Sequence, residues 1–373
     1  VKPAVPAAAS GPVGQWRADA VPAEAVAELN ARAIATDGVA PLSGHVIGVI
    51  VRPPVDGAGD AAATDSGLAW LPATSPDGDL PTAAPTTLPG LAVAVHTDPA
   101  EVVVDPAARG RGLGTALVRA AIARQGAVWA YGDLPAAARV AQRLGLVRGR
   151  VLLQLRRHRD AGAAVPPPTL PAGITLRTFI PGRDEAAFLG VNARAFAWHP
   201  EQGRLDLAGL QAEMAQPWFD PAGFFLAVRG EEVIGFHWTK VHPVDPTPAG
   251  AAPAPAADHG PPGGGGAGGP TADTSAADTS AADASWAAAP GGRDPIGEVY
   301  VIGVDPDAGV RGLGTPLTAA GLRHLEDRGI GTVMLYVEGD NEKALRLYEQ
   351  FGFAPHLANV VYSTPVEPAE PGG

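Results

Sequence analysis

Two stretches of this chain spell the same supersecondary unit. One reads Glu101-Val102-Val103-Val104-Asp105-Pro106-Ala-Ala-Arg109-Gly110-Arg111-Gly112-Leu113-Gly114-Thr115. The other reads Val299-Tyr300-Val301-Ile302-Gly303-Val304-Asp305-Pro306-Asp-Ala-Gly309-Val310-Arg311-Gly312-Leu313-Gly314-Thr315, with its Asp-Pro and its Arg-Gly-Leu-Gly-Thr offset by 200 residues from the first. Each opens on a β-branched run that stops at Asp-Pro, the pattern of a buried strand ending in a turn. A helical period follows directly. Two tandem copies of one domain are the simplest source of such a repeat, so the chain is expected to be α/β and built twice.

The turn itself specifies a ligand. A glycine-rich turn between strand and helix exposes backbone N–H groups that no helical carbonyl satisfies, and the helix dipole adds partial positive charge there. Arg311 contributes a fixed charge, and Gly312 and Gly314 let phosphate oxygens approach the backbone, which favours a pyrophosphate. Neither common nucleotide loop fits: no Gly-Lys-Ser/Thr is present, and Leu317 breaks G-x-G-x-x-G.

Bulk properties narrow the class. At 373 residues the chain can hold two ordinary domains, each with its own core. A net charge of −12 disfavours nonspecific binding to nucleic acid or an anionic membrane, while leaving room for a local basic pocket. The absence of cysteine excludes disulfides, thiolate metal sites and a cysteine nucleophile, which suits direct group transfer. Residues 1–10 lack the apolar core of a signal peptide, and no apolar run approaches the roughly 20 residues of a membrane span. The expectation is a cytoplasmic monomer that handles small molecules, with no nucleic-acid or membrane partner.

In order, the chain reads as a Pro/Ala tail (1–14), an N-terminal domain (15–155), a basic then Pro-rich linker (156–171), a C-terminal domain (172–365) and a tail (366–373). The first domain is expected to hold a helix over 22–34, strands at 91–96 and 102–104, a helix over 114–124, a strand at 128–131, a helix over 135–144 and a closing strand at 150–155. Its segment 42–52 is ambiguous between a short helix and a strand, and its β-branched content argues strand. A low-complexity insertion covers 53–89, interrupted by a short strand-like piece at 67–71. The second domain should comprise a strand at 174–179, helices over 184–196 and 205–216, a hairpin of 224–228 with 233–241, the repeated strand–turn–helix, a strand at 332–337, a helix over 341–350 and a strand at 360–364. A Gly/Ala/Asp/Thr tract at 245–294 interrupts it and is expected to be disordered, as an interaction segment or a neutral expansion.

Strand, R/Q-x-x-G-x-G/A, then helix resembles the acyl-CoA-binding motif of the GNAT acetyltransferases. Arg109-x-x-Gly112-x-Gly114 matches it throughout; the second copy has Gly309 in the first position, which removes a side chain and keeps the amides. The likeness is strongest over residues 98–243 and 296–363. It implies two tandem GNAT (acyl-CoA N-acyltransferase) domains, each a mixed, mostly antiparallel sheet flanked by helices, with acetyl-CoA as co-substrate and no metal. It places coenzyme on Val102, Val103, Val104, Gly110, Arg111, Gly112, Leu113, Gly114 and Thr115 in the first copy. In the second it places coenzyme on Ile302, Gly303, Val304, Gly309, Val310, Arg311, Gly312, Leu313, Gly314 and Thr315, with Asn341, Glu342, Lys343, Ala344, Leu345 and Arg346.

Acetyl transfer to an amine needs a base for the ammonium proton and an acid for the departing thiolate. Aligning the copies through Gly132-Asp133 with Gly339-Asp340 and Gly145-Leu146 with Gly352-Phe353 sets Ala141 opposite Tyr348. Only the second copy has a phenol there. The resemblance implies Tyr348 as acid and Glu298 as base, and so a catalytic second copy. Chemistry alone also allows Glu298 as a surface carboxylate at a strand end and Tyr348 as a core aromatic spaced helically with Leu345 and Phe351. The tandem arrangement, with Thr36-Asp37-Gly38, His199-Pro-Glu201 and Gly235-Phe-His-Trp-Thr-Lys240, resembles one branch of the family whose acceptor is a cysteinyl-glucosaminyl-inositol amine. That implies acceptor contacts at Asp37, Glu201, Lys240, Tyr336 and Glu298. By themselves Asp37 reads as a turn residue, Glu201 as a solvated loop acid, Lys240 as a strand-end charge and Tyr336 as an interfacial aromatic. His199, His237 and His242 fall at no ligand spacing, and no metal is assigned. An acetyltransferase for another amine or a protein N-terminus, or an acyl-CoA-binding module without turnover, stands as the rival.

Overall fold

The computed structural model describes residues 13–18, 21–51, 68–73, 88–96, 98–159, 164–197, 202–242 and 294–365. The expected tails and most of the 53–89 and 245–294 insertions lie outside the described residues, as does Glu201. Two compact units are present: one takes the described residues up to Arg150 and from Asn359 onward, the other those between Val151 and Ala358. Among the described residues no helix is long and apolar enough to cross a membrane.

In the first unit α1 (Ala23–Asp37) and α2 (Gly44–Val51) cover an antiparallel sheet of β1 (Leu68–Pro72), β2 (Gly90–Val95) and β3 (Glu101–Val104). Helix α1 ends because Gly38 turns left-handed at φ 70° and gives its N–H to the Ile34 carbonyl. The ambiguous 42–52 segment is helical. Leu42, Val46 and Ile50 recur every fourth residue and all enter the core with Leu29, Trp70 and Val103, and the Ser43 Oγ accepts the Val46 N–H at 3.2 Å as an N-cap. Helix α3 (Leu113–Gln125) packs on β2 and β3, followed by β4 (Ala127–Ala130) and α4 (Pro135–Arg143).

Strand β5 (Val147–His158) is longer than expected, and its residues 152–158 pair antiparallel with a strand of the second unit, β10 (Thr332–Glu338). The final strand, β11 (Ala354–Ser363), in turn gives Val360–Ser363 to β4 of the first unit. The strand expected to close the first domain thus completes the second, and the reverse holds for the last strand. An unpaired edge accepts any strand that presents a matching ladder, and period-2 patterning does not say which edge that is.

The second unit adds β6 (Ile174–Thr178), α5 (Glu185–Ala195), α6 (Leu207–Met214), β7 (Phe224–Arg229), β8 (Glu232–His242), β9 (Ile296–Val304), α7 (Gly314–Asp327) and α8 (Glu342–Gln350). Its strands run in the order β5-β10-β9-β8-β7-β6. Only β9 and β10 are parallel. Each sheet face has its own core: Val299, Ile302, Leu335 and Val337 pack with α7 and α8, whereas Phe224, Phe236, Trp238 and Tyr300 pack with α5 and α6. In the second, Phe224 stacks on Trp238 at 4.6 Å and on Phe179 at 4.4 Å. Each fully buried aromatic of this kind contributes about 1.5–3 kcal/mol.

Two irregularities shape β9. Thr239 pairs with Val299 and Trp238 with Val301, so Tyr300 is the extra residue of a β-bulge on β9. Consecutive Tyr300 and Val301 therefore face the same core. The parallel ladder to β10 stops at Met334↔Glu298; beyond it β10 continues beside β5 and β9 beside β8. The two strands diverge into a wedge.

Helix α7 is fixed to the sheet by His237 of β8. Its Nδ1 lies 2.7 Å from the Leu317 carbonyl, which can only accept, so Nδ1 carries the proton. Burial holds this imidazole down to about 4 and hence neutral. The ring lies where a side chain at Gly321 would be. Alanine normally beats glycine inside a helix by up to ~1 kcal/mol, but here its methyl overlaps a buried, hydrogen-bonded ring, and overpacking costs about 1–3 kcal/mol. Gly321→Ala should accordingly lower the urea midpoint; a raised midpoint would show that the ring moves freely.

Candidate active site

The site is built from the point where β9 and β10 part. Glu298 is the last β9 residue in the parallel ladder and is 1% exposed, so it is no surface carboxylate. Directly across from it on β8 is Lys240, also buried. The Lys240 ammonium sits over the faces of Trp218 and Tyr300, 4.5 and 4.9 Å from their centroids, and this replaces part of its lost hydration. The His242 Nε2 lies 2.7 Å from the Glu298 Oε2, with both side chains buried. Tyr300 donates its hydroxyl to Glu213 of α6 at 3.2 Å.

On the neighbouring strand Tyr336 is buried two residues past Met334, on the same face as Glu298. Its hydroxyl accepts from the Gln154 amide of β5, and Gln154 in turn accepts from Arg156 at 3.0 Å. Glu298, Lys240 and Tyr336 thus share one sheet face. Tyr348 of α8 lies on the other face, in the core with Val299 and Leu335, its ring edge-on to Phe353 at 5.7 Å. Burial pushes its phenol well above the ordinary tyrosine range, so it holds its proton at neutral pH. The wedge lies between these two faces.

At the outer end of β9, Asp305 accepts the Asp307 N–H at 2.9 Å and is gripped by Arg194 of α5, whose Nε is 3.0 Å away. Gly309 and Gly312 adopt left-handed φ of 65° and 75°, and a Cβ on either would meet nothing within 4 Å. Helix α7 begins with no side-chain cap. Its first N–H groups therefore face open space beside exposed Arg311, with Leu313 buried beneath. These features fit a pyrophosphate. Gly303 has a packing reason too, since a Cβ there would lie 2.8 Å from the Phe236 ring. On α8, Asn341 caps its own helix through Ala344 N–H at 3.1 Å, Ala344 is buried in the core, and Glu342 pairs with Arg346 at 3.0 Å. That stretch is thus spent largely on its own helix.

The first unit repeats the plan. Asp105 caps Ala107 and is held by Arg32 of α1 at 2.8 Å, as Asp305 is by Arg194. Gly112 turns left-handed at φ 86°, and α3 starts uncapped. Strand β3 meets β4 through one parallel bridge, Ala100↔Val128, beyond which Val102, Val103 and Val104 pair with β2 alone. Arg109 differs from its counterpart Gly309: it forks onto Asp37 at 2.6 and 2.7 Å, so Asp37 holds the coenzyme-turn arginine. Just past the bridge Glu101 is buried, accepting the Ser43 N–H and the Tyr131 hydroxyl, each at 2.7 Å.

Sequence reasoning missed three parts of this. His242 stands two residues from Lys240 on one strand, hence on its face, but its meeting with Glu298 is set by the β8–β9 register. The Arg32 and Arg194 braces lie in a second repeat, Asn30-Ala-Arg-Ala33 and Asn192-Ala-Arg-Ala195, visible in the sequence. Glu101, a lone acid opening an apolar strand, gave no signal of its own.

A family model for Acetyltransferase (GNAT) matches residues 90–146 and 193–353. Mycothiol acetyltransferase of Frankia alni is 47% identical over 276 residues, covering 72% of this chain and 71% of that protein. That of Acidothermus cellulolyticus is 44% identical over 335 residues, covering 88% and 86%. The chain belongs to the mycothiol acetyltransferase family of GNAT enzymes. It is an acyltransferase of two tandem GNAT domains. A GNAT structure from Sphaerobacter thermophilus shares the fold at TM-score 0.52 and 21% identity, over 91% of both chains. A tandem GNAT protein from the clavulanic acid biosynthesis pathway does so at 0.54 and 16%, over 93% of this chain and 96% of that one.

Within this GNAT pair the first copy's buried acid has a measurable signature. Burial pushes Glu101 up to about 7, against the pull of its hydrogen bonds from Ser43 and Tyr131. Between the ordinary 4.5 and about 7 the folded chain binds a proton that the unfolded chain does not, so stability rises as pH falls through that window. Glu101→Gln should flatten this dependence, read as denaturant midpoints at pH 7.5 and 5; an unaltered slope would deny the shift.

Proposed function

We propose that this enzyme transfers acetyl from acetyl-CoA to the cysteinyl amine of desacetylmycothiol (Cys-GlcN-Ins), giving mycothiol and CoA, the last step of mycothiol biosynthesis, in the cytoplasm. The observation that carries this reading is the family membership at 44–48% identity over most of the chain. The buried carboxylate and phenol on opposite faces of one wedge support it.

The second copy, residues 172–365, is the catalytic one. The open amides of Gly312, Gly314 and Thr315, with Arg311, hold the pyrophosphate, and the unpaired β9 edge at Ile302 to Val304 receives the pantetheine arm. Acetyl-CoA supplies the acetyl group as an activated thioester. Glu298 takes a proton from the acceptor ammonium, so that a neutral amine faces the wedge from the α5/α6 side. Tyr348 keeps its proton through burial and gives it to the departing sulfur from the α8 side. Proton removal and proton delivery are thereby separated by the sheet, and neither group can neutralise the other. Lys240 and Tyr336 line the acceptor face, and Glu201 is proposed as a further acceptor contact.

Chromatography of products from desacetylmycothiol and from several simple amines tests the acceptor. Desacetylmycothiol should be favoured by orders of magnitude in kcat/KM; equal rates across amines would sink the assignment. Tyr348→Phe should keep acetyl-CoA affinity and lower turnover by ~10² to 10⁴, the range of general acid–base contributions. Turnover unchanged where chemistry limits the rate would remove Tyr348 from the mechanism.

Gly112 and Gly312 carry the same backbone strain when substituted, so aspartate at each is an internal control for the other. Gly312→Asp should abolish turnover, and Gly112→Asp should cost one coenzyme site and little turnover. Calorimetric stoichiometry beside steady-state rates would expose a reversed division of labour.

A further inference from the structure

The Glu298–His242 pair calls for an account that the acid and base roles do not give. A buried carboxylate that must stay ionised to accept a proton needs a hydrogen-bond donor, and it must present one oxygen to the amine. His242 meets both needs. An ionised carboxylate only accepts, so the 2.7 Å contact to Glu298 Oε2 requires the proton to be on the His242 Nε2. We infer that His242 is a positioning residue for acetyl transfer: through its Nε2–H it fixes the Glu298 rotamer, keeps that carboxylate charged, and leaves Oε1 for the substrate ammonium. This rests on the proposed role of Glu298.

The proton balance is simple. The ammonium N–H bond breaks toward Glu298 Oε1 and the freed pair forms the C–N bond at the thioester carbonyl; the C–S bond breaks, the thiolate takes the Tyr348 proton, the second proton shed by the nitrogen restores that phenol, and the His242 Nε2–H stays on His242. The carboxylic acid later loses its proton to solvent. The register fixes the arrangement: His242 lies diagonal to Glu298, one step beyond Lys240, at the β8 end farthest from the coenzyme turn. It therefore meets the carboxylate from the acceptor side. The other titratable groups on that face, among the described residues, include Lys240 and Tyr300 beside the carboxylate, Glu213 from α6, Tyr336 and Glu338 from β10, Arg156 and His158 from β5, and His356 of β11 next to those two. Lys240 is the nearest cation by register, but its ammonium lies over two rings.

The test uses the full-length enzyme with acetyl-CoA and the acceptor it turns over best, comparing His242→Ala, His242→Gln and Glu298→Gln across pH. His242→Ala should lower kcat by about 10- to 100-fold, at or below the ~10² that marks the bottom of the range for removing an acid or base itself, with KM for acetyl-CoA unchanged. Its acid limb in kcat/KM should move to higher pH, since a buried carboxylate without its donor favours the protonated form. His242→Gln retains an N–H donor and should recover much of the rate. Equal losses in both variants with an unmoved acid limb would reduce His242 to packing and overturn the inference. So would a wild-type rate in His242→Ala while Glu298→Gln is inactive. A fully active Glu298→Gln removes the base itself and the inference with it. Thermal midpoints keep these outcomes separate from unfolding; if His242→Ala does not fold, the acid limb of His242→Gln decides.

Discussion

The end of the β9–β10 ladder at Glu298 is the constraint on which the rest of the second unit depends. Parallel strands normally hold each other's backbone groups along their whole length, and unpaired buried N–H and C=O groups are costly. The bulge at Tyr300 forces the break by turning β9 away from its neighbour. What compensates is on either side: β10 remains paired to β5 as far as Glu338, and β9 to β8 as far as Val304. A wedge opened by a bulge is held on both sides by its outer strands. It also lets chemistry on two faces of a sheet meet, which is the use that the proposed acetyl transfer makes of it.

Both units brace the outer end of the wedge in the same way. An arginine from the first helix of each copy, Arg32 or Arg194, grips the aspartate that ends the strand, Asp105 or Asp305, and that aspartate caps the turn leading to the glycines. The ion pair is partly buried and doubles as a cap, so it fixes the angle between strand and helix rather than only adding Coulomb energy. The strand–turn–helix is thus duplicated with its support. The wedge face is not duplicated: where the second unit has Glu298 with His242 and Lys240, the first has Glu101 tied to Ser43 and Tyr131. The first carboxylate spends its acceptor capacity on the start of α2, the second on a side chain from a neighbouring strand. One is a fastening; the other, in the proposed mechanism, meets the acceptor.

Much of this was legible in the chain. The repeat, the two glycine turns, the strands feeding them and the Tyr348/Ala141 asymmetry follow from spacing alone, because local geometry sets them. The helix at 44–51 was not, since its β-branched content pointed to a strand; the buried Leu42–Val46–Ile50 stripe and the Ser43 cap outweighed propensity. The crossing of β5 and β11 was not legible either, because both strands satisfy their own pattern on either edge. His242 was hidden for a related reason. Its partner is 56 residues away across a tract of 51, so only the β8–β9 register, a tertiary fact, brings the two together.

Two buried titratable groups, an acid and a base, show how one cause acts in opposite directions. His237 is pushed down to about 4 and Glu101 up to about 7, both chiefly by loss of water, which disfavours whichever form is charged. Their linkage signs oppose. Between about 6.5 and 4 the unfolded chain protonates His237 while the folded chain does not, which lowers stability on acidification; Glu101 does the reverse between about 7 and 4.5. Because the two lie in different units, acidification first favours the folded form through Glu101 of the first unit and then, from about 6.5 downward, is opposed through His237 of the second.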